Sequence, residues 1–97
     1  MKSIIINHQR RRNLINPPNG KISDHIIPYC LCMDDSLDNI QFLTKEEHNK
    51  KTLIDFKIIR EFRNKGWIEK VTNYSHELKV PINLLKENYK KRFVELT

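Results

Sequence analysis

The pattern of apolar and polar positions in the middle of the chain predicts two short strands followed by a long helix. Residues 21–27 are predicted to form a strand that stops at Pro28, because proline cannot donate a ladder hydrogen bond. Residues 39–43 alternate polar and apolar side chains, which is typical of a half-buried strand. Residues 29–38, which are rich in Asp, are predicted to form a loop between the two strands.

The stretch from residue 45 to about residue 64 has the features of an amphipathic helix. Thr44 is a favourable N-cap, and the first turn contains two glutamates, which the helix dipole favours there. Gly66 is expected to end the helix. The predicted apolar face consists of Ile54, Ile58 and Phe62, with Phe56 and Ile59 alongside.

The flanking segments contain fewer residues that indicate secondary structure. Residues 3–7 and 67–71 each predict a short strand, and residues 16–20 predict a turn rich in Pro, Asn and Gly. A last helix is expected over residues 81–95, with Pro81 at its first position. Its predicted inner face consists of Leu84, Leu85, Tyr89 and Phe93.

A chain of 97 residues is long enough for one domain with a thin core. The order of elements predicts an α+β fold with its core at about residues 22–64. A short N-terminal strand would precede that core, and a C-terminal helical extension would follow it over residues 66–97. We therefore treat residues 1–97 as a single domain.

Cys30 and Cys32 are the only two cysteines, and they stand too close together for an ordinary disulfide. A structural zinc ion usually takes four Cys or His ligands, so none is expected, and both thiols are expected to be small buried groups. Free thiols fit a reducing compartment, and the apolar run at residues 4–6 is too short for a signal peptide or a membrane span. We expect a cytoplasmic protein without membrane contact.

The formal net charge of +6 indicates a polyanionic partner, and the charges are unevenly placed. Residues 1–23 contain five Lys or Arg and no acid, whereas residues 24–44 contain four Asp and no Lys or Arg. An acidic segment between basic flanks suits a cation site on a phosphate-binding surface. A solvated acidic loop in a lysine-rich protein is the alternative explanation, and Asp34, Asp35 and Asp38 are expected to be solvated rather than ligands.

Four residues between positions 24 and 48 suit the hydrolysis of a phosphodiester bond. The reaction needs a base for water, which a neutral imidazole provides near pH 7, and a divalent ion with few protein ligands to neutralise charge. The candidates are Asp24, His25, Asn39 and His48. Adjacent residues of a strand point to opposite faces, so a twist or bulge before Pro28 is expected if Asp24 and His25 serve one site.

The stretch of residues 24–52, D-H-I-I-P-x10-N-I-Q-F-L-x4-H-N-K-K-T, resembles the ββα-metal core of the HNH endonucleases. In that family the pattern D-H-I-x-P, N-x-Q-x-L and H-N-x-K-T spans two strands and one helix. The segment 34–39, D-D-S-L-D-N, is also similar to the corresponding loop in the HNH domain of RNA-guided CRISPR nucleases. The resemblance covers less than a third of the chain.

The resemblance implies a role for each matched residue. His25 corresponds to the general base, and Asp24 and His48 correspond to the ligands of one divalent ion, Mg²⁺ or Mn²⁺. Asn39 corresponds to the residue that holds the loop and orients the base, and Lys51 to a lysine that we interpret as a phosphate contact. Many HNH proteins also bind a structural zinc ion through two C-x-x-C pairs, which this sequence lacks.

Together these features predict a metal-dependent endonuclease that nicks or cuts DNA, with RNA left open as a substrate. Arg10, Arg11 and Arg12 are expected to contact phosphates, which would position the protein without reading sequence. The alternative is a non-catalytic nucleic-acid-binding or accessory module of a larger phage or mobile-element complex that keeps the HNH shape. A homodimer and a larger nucleoprotein complex are both left open.

Overall fold

The computed structural model describes residues 16–69 and 77–97, and the structural statements below concern these two ranges. The strand predicted over residues 3–7 lies outside the described residues, and so do Arg10, Arg11 and Arg12. Of the strand predicted over residues 67–71, only the first part is described.

Two antiparallel strands form the only sheet in the described ranges. Strand β1 (Ile22–His25) pairs with strand β2 (Ile40–Leu43), in a register that runs without interruption from Ile22 opposite Leu43 to His25 opposite Ile40. Both predicted strands are therefore confirmed, each slightly shorter than expected. The ladder has no bulge within β1, and the chain bends at Ile26 and Ile27, at the strand end before Pro28 where a twist or bulge was expected.

The connection between the strands contains more regular structure than the predicted loop. Helix α1 (Tyr29–Cys32) is a single turn that begins after Pro28 and ends at Met33, whose φ of 56° is left-handed. A 3-10 turn over Leu37–Asn39 leads into β2. The prediction of an irregular loop was wrong here because α1 forms around Leu31, which is fully buried against the C-terminal helix. Because this contact is with a distant part of the chain, no periodic pattern of apolar residues within the segment indicated the helix.

Helix α2 (Lys45–Asn64) has the predicted bounds, and both of its ends have recognisable caps. Thr44 and Glu47 form a capping box, in which the Thr44 hydroxyl accepts the Glu47 N–H at 3.1 Å and the Glu47 carboxylate accepts the Thr44 N–H at 2.8 Å. These bonds lower the pKa of Glu47 below its usual value. Gly66, at φ 79°, ends the helix with the Trp67 N–H bonded to the Phe62 carbonyl at 3.0 Å.

The Thr44→Ala variant is expected to lose about 1 kcal/mol of stability, because the Glu47 N–H would lose its acceptor. For a domain of this size that corresponds to a fall of about 4–8 °C in Tm, measured by circular dichroism. Thr44→Ser is the matched control, since it keeps the hydroxyl that accepts the Glu47 N–H. Equal Tm values for the two variants would contradict this role of the capping box.

One side of α2 packs into the core, although that side is narrower than predicted. Ile58 and Phe62 are buried, as expected, and Ile54 and Ile59 pack at the edge of the core. Phe56, which was expected to lie alongside them, is 58% exposed, so that prediction was wrong. Phe56 is two residues from both Ile54 and Ile58, which places it on nearly the opposite side of a helix with about 3.6 residues per turn.

Helix α3 (Ile82–Leu96) is the C-terminal extension. Pro81 is its N-cap, with an extended ψ of 145°, and not its first helical residue as predicted. Leu85 and Tyr89 are buried as expected, whereas Leu84 is 43% exposed and does not belong to the inner face. The helix packs against both α1 and α2 and contributes Leu85 and Tyr89 to the core.

The described ranges form one small α+β fold around a single core. Ile68 and Leu78 form an isolated antiparallel bridge, which is the described remnant of the strand predicted at residues 67–71. No helix in the described ranges is long and apolar enough to cross a membrane. The buried apolar core consists of Ile27, Leu31, Cys32, Ile58, Phe62, Ile68, Leu85 and Tyr89.

Candidate functional site

The structure brings together Asp24 near the end of β1 and His48 in the first turn of α2. The Asp24 Oδ1 atom lies 3.4 Å from the His48 Nδ1 atom, although the two residues are 24 positions apart in the chain. The carboxylate is mostly covered, and the imidazole is about one-third exposed. The capping box at Thr44 fixes where α2 begins, and therefore where His48 is held relative to the sheet.

His48 Nδ1 is a buried nitrogen that makes no hydrogen bond to any described residue. Asp24 Oδ1 is near enough for an electrostatic contact, but the geometry is not that of a hydrogen bond. A nitrogen lone pair and a carboxylate oxygen in this arrangement fit two ligands of a divalent cation. No group of three or more His, Cys, Asp or Glu side chains suited to a metal occurs in the described ranges. An ion held by this pair would keep positions open for water and phosphate.

Lys51 neutralises the other side of the Asp24 carboxylate. Its ammonium lies 3.0 Å from Asp24 Oδ2 and 2.6 Å from Asp55 Oδ2, and it donates to the backbone carbonyl of His25 at 2.9 Å. The residue is only 7% exposed. A phosphate contact by Lys51 stays a prediction, and it would require the ammonium to leave these three acceptors. The observed placement instead favours a role in holding Asp24.

Asp55 and Tyr89 extend the polar network into the core. The Tyr89 hydroxyl donates to Asp55 Oδ1 at 2.6 Å, while Lys51 binds the other oxygen of the same carboxylate. Burial raises the pKa of Asp55, and the hydrogen bonds from Lys51 and Tyr89 oppose that rise. Burial and the neighbouring Asp55 raise the pKa of Tyr89, so its hydroxyl stays protonated as a donor. The network ties α3 to the residues around the Asp24–His48 pair.

His25 is buried and faces the connection between the strands. Its Nε2 atom lies 2.9 Å from Asp35 Oδ1, and only 5% of the residue is exposed. Because strand residues alternate, the His25 side chain lies on the opposite face of β1 from Asp24. Lys51 links the two positions, since its ammonium binds both the Asp24 carboxylate and the His25 carbonyl.

The Asn39 side chain connects Ile27 and Asp34, which lie before and after helix α1. Its Oδ1 accepts the Ile27 N–H at 2.9 Å, and its Nδ2 donates to the carbonyls of Ile27 and Asp34, each at 2.9 Å. Asn39 is 5% exposed, so these bonds replace water almost completely. The side chain thereby fixes the backbone on both sides of α1, beside His25 at one end and Asp35 at the other.

Asp34 and Asp35 are not the solvated loop residues that the sequence led us to expect. Asp35 binds His25, and Asp34 accepts the Ser36 N–H at 2.9 Å and lies 3.2 Å from the Lys86 ammonium of α3. Hydrogen bonds from Ser36, with Lys86 contributing, lower the pKa of Asp34 to about 2. The carboxylates of Asp34 and Asp35 are therefore both bound to other parts of the fold.

The two cysteines are placed as expected, as protonated groups in apolar surroundings. Cys32 is buried in the core, and Cys30 is half-buried at its edge. Burial raises the pKa of Cys30 to about 11 and also raises that of Cys32. A protonated thiol is a poor nucleophile and a poor metal ligand, so neither cysteine belongs to the site.

Three residues of this site were not singled out from the sequence. Asp55 could have been found, because it stands four residues after Lys51 on a helix, which is the spacing of an ion pair. Asp35 was one of several adjacent acids, and only its distance from His25 distinguishes it. Tyr89 comes from a separate helix, 34 residues from Asp55, and no local pattern relates the two.

Comparison with known proteins gave no relative on which the site could be checked. The chain matches no family model, no curated protein and no solved structure.

Proposed function

We propose that this protein is a metal-dependent endonuclease of the HNH type that hydrolyses DNA phosphodiester bonds. The observation that carries the proposal is the approach of Asp24 Oδ1 to His48 Nδ1, at 3.4 Å, with the imidazole nitrogen left without a hydrogen bond among the described residues. The order of two antiparallel strands and a capped helix around this pair supports the resemblance of residues 24–52 to the ββα-metal core.

In the proposed mechanism Asp24 and His48 hold the divalent ion, Mg²⁺ or Mn²⁺. When bound, the ion supplies positive charge for the phosphoryl oxygens and the leaving oxygen. Lys51 and Gln41 hold Asp24 Oδ2 at 3.0 and 3.3 Å, so the Oδ1 atom stays directed at His48. An oriented carboxylate loses less conformational freedom when it binds an ion.

His25 is proposed to take the proton from the attacking water, which requires the bound phosphate to reach its ring around the end of β1, because Asp24 lies on the other face of that strand. The His25 Nε2 atom lies 2.9 Å from the Asp35 carboxylate. Asp35 then fixes the orientation of the ring and stabilises the imidazolium that forms, in the way that a carboxylate supports a catalytic histidine elsewhere. Asn39 is a positioning residue, since it acts through the backbone on either side of α1.

Plasmid cleavage should require a divalent ion bound at Asp24. Excess EDTA is expected to abolish nicking, and added Mn²⁺ to restore it. The Asp24→Asn variant is expected to lose at least about 100-fold in Mn²⁺ affinity, because an amide oxygen lacks the charge of the ligand carboxylate. The affinity is measured by isothermal titration and the cleavage by conversion of supercoiled to open-circular plasmid.

Asp38→Asn is the matched control for the loss of one negative charge, because Asp38 is exposed. It should keep both Mn²⁺ affinity and nicking. Cleavage that persists in EDTA, or equal Mn²⁺ affinities for the two variants, would count against the proposed metal site.

A second candidate function is an accessory module of a larger nucleoprotein complex. It is favoured by an open apolar cleft of about 820 Å³ between α2 and α3, whose lining includes the exposed side chains of Leu53 and Val94. Such surfaces often mark protein contacts. This alternative predicts salt-sensitive DNA binding that EDTA does not change, together with no cleavage in Mg²⁺ or Mn²⁺.

A further inference from the structure

A second cleft lies along the C-terminal half of α2, separate from the Asp24–His48 pair. It has a volume of about 410 Å³, within the range of sites that hold small organic groups. No acidic side chain is among its described lining residues. They are Phe56, Ile59, Arg60, Arg63, Asn64 and Ile68.

The two arginines of this cleft have no carboxylate partner in the described ranges. Arg92, by contrast, is held by Glu61 through two bonds of 2.7 and 2.8 Å. The Arg63 Nε atom is buried and makes no hydrogen bond to any described residue. A buried guanidinium nitrogen without an acceptor is costly, and an anion in the cleft would satisfy it.

Phe56 adds an aromatic face beside these charges. Its ring is 58% exposed, and Arg60 and Arg63 follow it by four and seven residues, which places all three on one side of the helix. An exposed aromatic ring next to arginines suits a ligand with a flat base and a phosphate. Nucleic acid supplies both, and an unpaired base is needed because the faces of paired bases are already stacked in a duplex.

We propose that Phe56, Arg60 and Arg63 form a site for single-stranded nucleic acid, in which an unpaired base stacks on Phe56 and the adjoining phosphates bind the two arginines. This inference rests on the proposed nuclease function only for the identity of the ligand. Along α2, Phe56 and Arg63 lie about 12 and 22 Å from His48, given a rise of about 1.5 Å per residue. One strand could therefore reach both sites, and DNA with a locally unpaired stretch would be bound in preference to a perfect duplex.

The test is fluorescence anisotropy with a labelled oligo-dT and a duplex of equal length, in EDTA so that no cleavage occurs. Phe56→Ala is expected to weaken binding of the single strand by about 5- to 100-fold, the usual loss for one stacked base, and binding of the duplex by less than about twofold. Leu53→Ala is the matched control, since it removes an equally exposed apolar side chain from the same helix. It should change neither affinity.

The arginines are tested by the salt dependence of the same binding. The double variant Arg60→Gln and Arg63→Gln should lower the slope of log K against log salt by about 1.4, the value for two phosphate contacts on a single strand. Phe56→Leu should leave this slope unchanged, although it should weaken binding of the single strand. Lys57→Ala is the control for a lysine on the same helix that does not line the cleft.

Direct evidence of stacking comes from the Phe56→Trp variant. Its tryptophan emission should be quenched by oligo-dT more strongly than that of the wild type, which has only Trp67. Unchanged binding by Phe56→Ala, or an equal loss for single strand and duplex, would overturn the proposed site. A protein that stacks oligo-dT but never cleaves would remove the nuclease proposal and leave this site standing. Normal cleavage together with unchanged oligo-dT binding by Phe56→Ala would remove the proposed single-strand site and leave the nuclease proposal standing.

Discussion

Replacement of His25 by alanine is expected to lower the rate of plasmid nicking by about 100- to 10,000-fold, the usual contribution of a general base. The expected loss comes from the chemical step, because His25 is proposed to accept the proton from water and does not hold the ion. Mn²⁺ affinity should therefore stay near the wild-type value. The rate is measured at saturating Mn²⁺ in single-turnover conditions, with circular dichroism to verify that the variant is folded.

Comparison with the other variants separates His25 from the metal ligands. Asp24→Asn should lose both Mn²⁺ affinity and nicking, whereas His25→Ala should lose nicking alone. Asp35→Ala should lose part of the activity, because the His25 ring would lose the carboxylate bound 2.9 Å from Nε2. His76→Ala, which removes a histidine with no assigned role, should behave as wild type. Full activity in His25→Ala would exclude this residue as the base.

The Asn39→Ala variant is expected to lose at least about 3 kcal/mol of stability. Three buried backbone groups would lose their partner, and each such group costs about 1–3 kcal/mol when left unsatisfied. In a domain whose total stability is about 5–15 kcal/mol, that loss should lower the Tm by more than about 12 °C. Urea unfolding followed by circular dichroism measures the change in free energy.

Two further variants test the reason for that loss. Asn39→Asp keeps an acceptor for the Ile27 N–H but places a buried carboxylate oxygen against the carbonyls of Ile27 and Asp34, so it should be no more stable than Asn39→Ala. Asn49→Ala removes an exposed asparagine from α2 and should change the stability by less than about 0.5 kcal/mol. If Asn39→Ala unfolds at the same urea concentration as Asn49→Ala, the hydrogen bonds of Asn39 do not stabilise the fold.

The elements that the sequence predicted correctly are those with signals close together in the chain. Thr44, the apolar spacing of Ile58 and Phe62, and Gly66 all act within a few residues, and α2 has the expected bounds. Helix α1 was missed because Leu31 is buried by a helix more than fifty residues away. Phe56 was misplaced because its spacing of two residues from Ile54 and Ile58 was overlooked, and this spacing puts its side chain on the exposed side of α2.

In the candidate site, too, local sequence patterns indicated some features, and contacts between distant parts of the chain determine the others. Residue types at fixed spacing singled out Asp24, His25, Asn39 and His48, and the structure adds which of them meet. Spacing gave no means of finding that Asp35 binds His25, or that Lys51 points inwards. These contacts depend on how the segment between the strands folds back onto the sheet and on where α3 packs, and both are properties of the complete fold.

The buried ammonium of Lys51 has a consequence for how the protein responds to chelation. It lies within 3.0 Å of both Asp24 and Asp55, so the repulsion between these two carboxylates is compensated by a charge that the chain itself carries. Zinc-finger domains, by contrast, unfold when their ion is removed. We therefore expect a chelated sample to stay native, although a bound ion would still add to the stability of the fold, and to regain its activity on dialysis into Mn²⁺ without a refolding step.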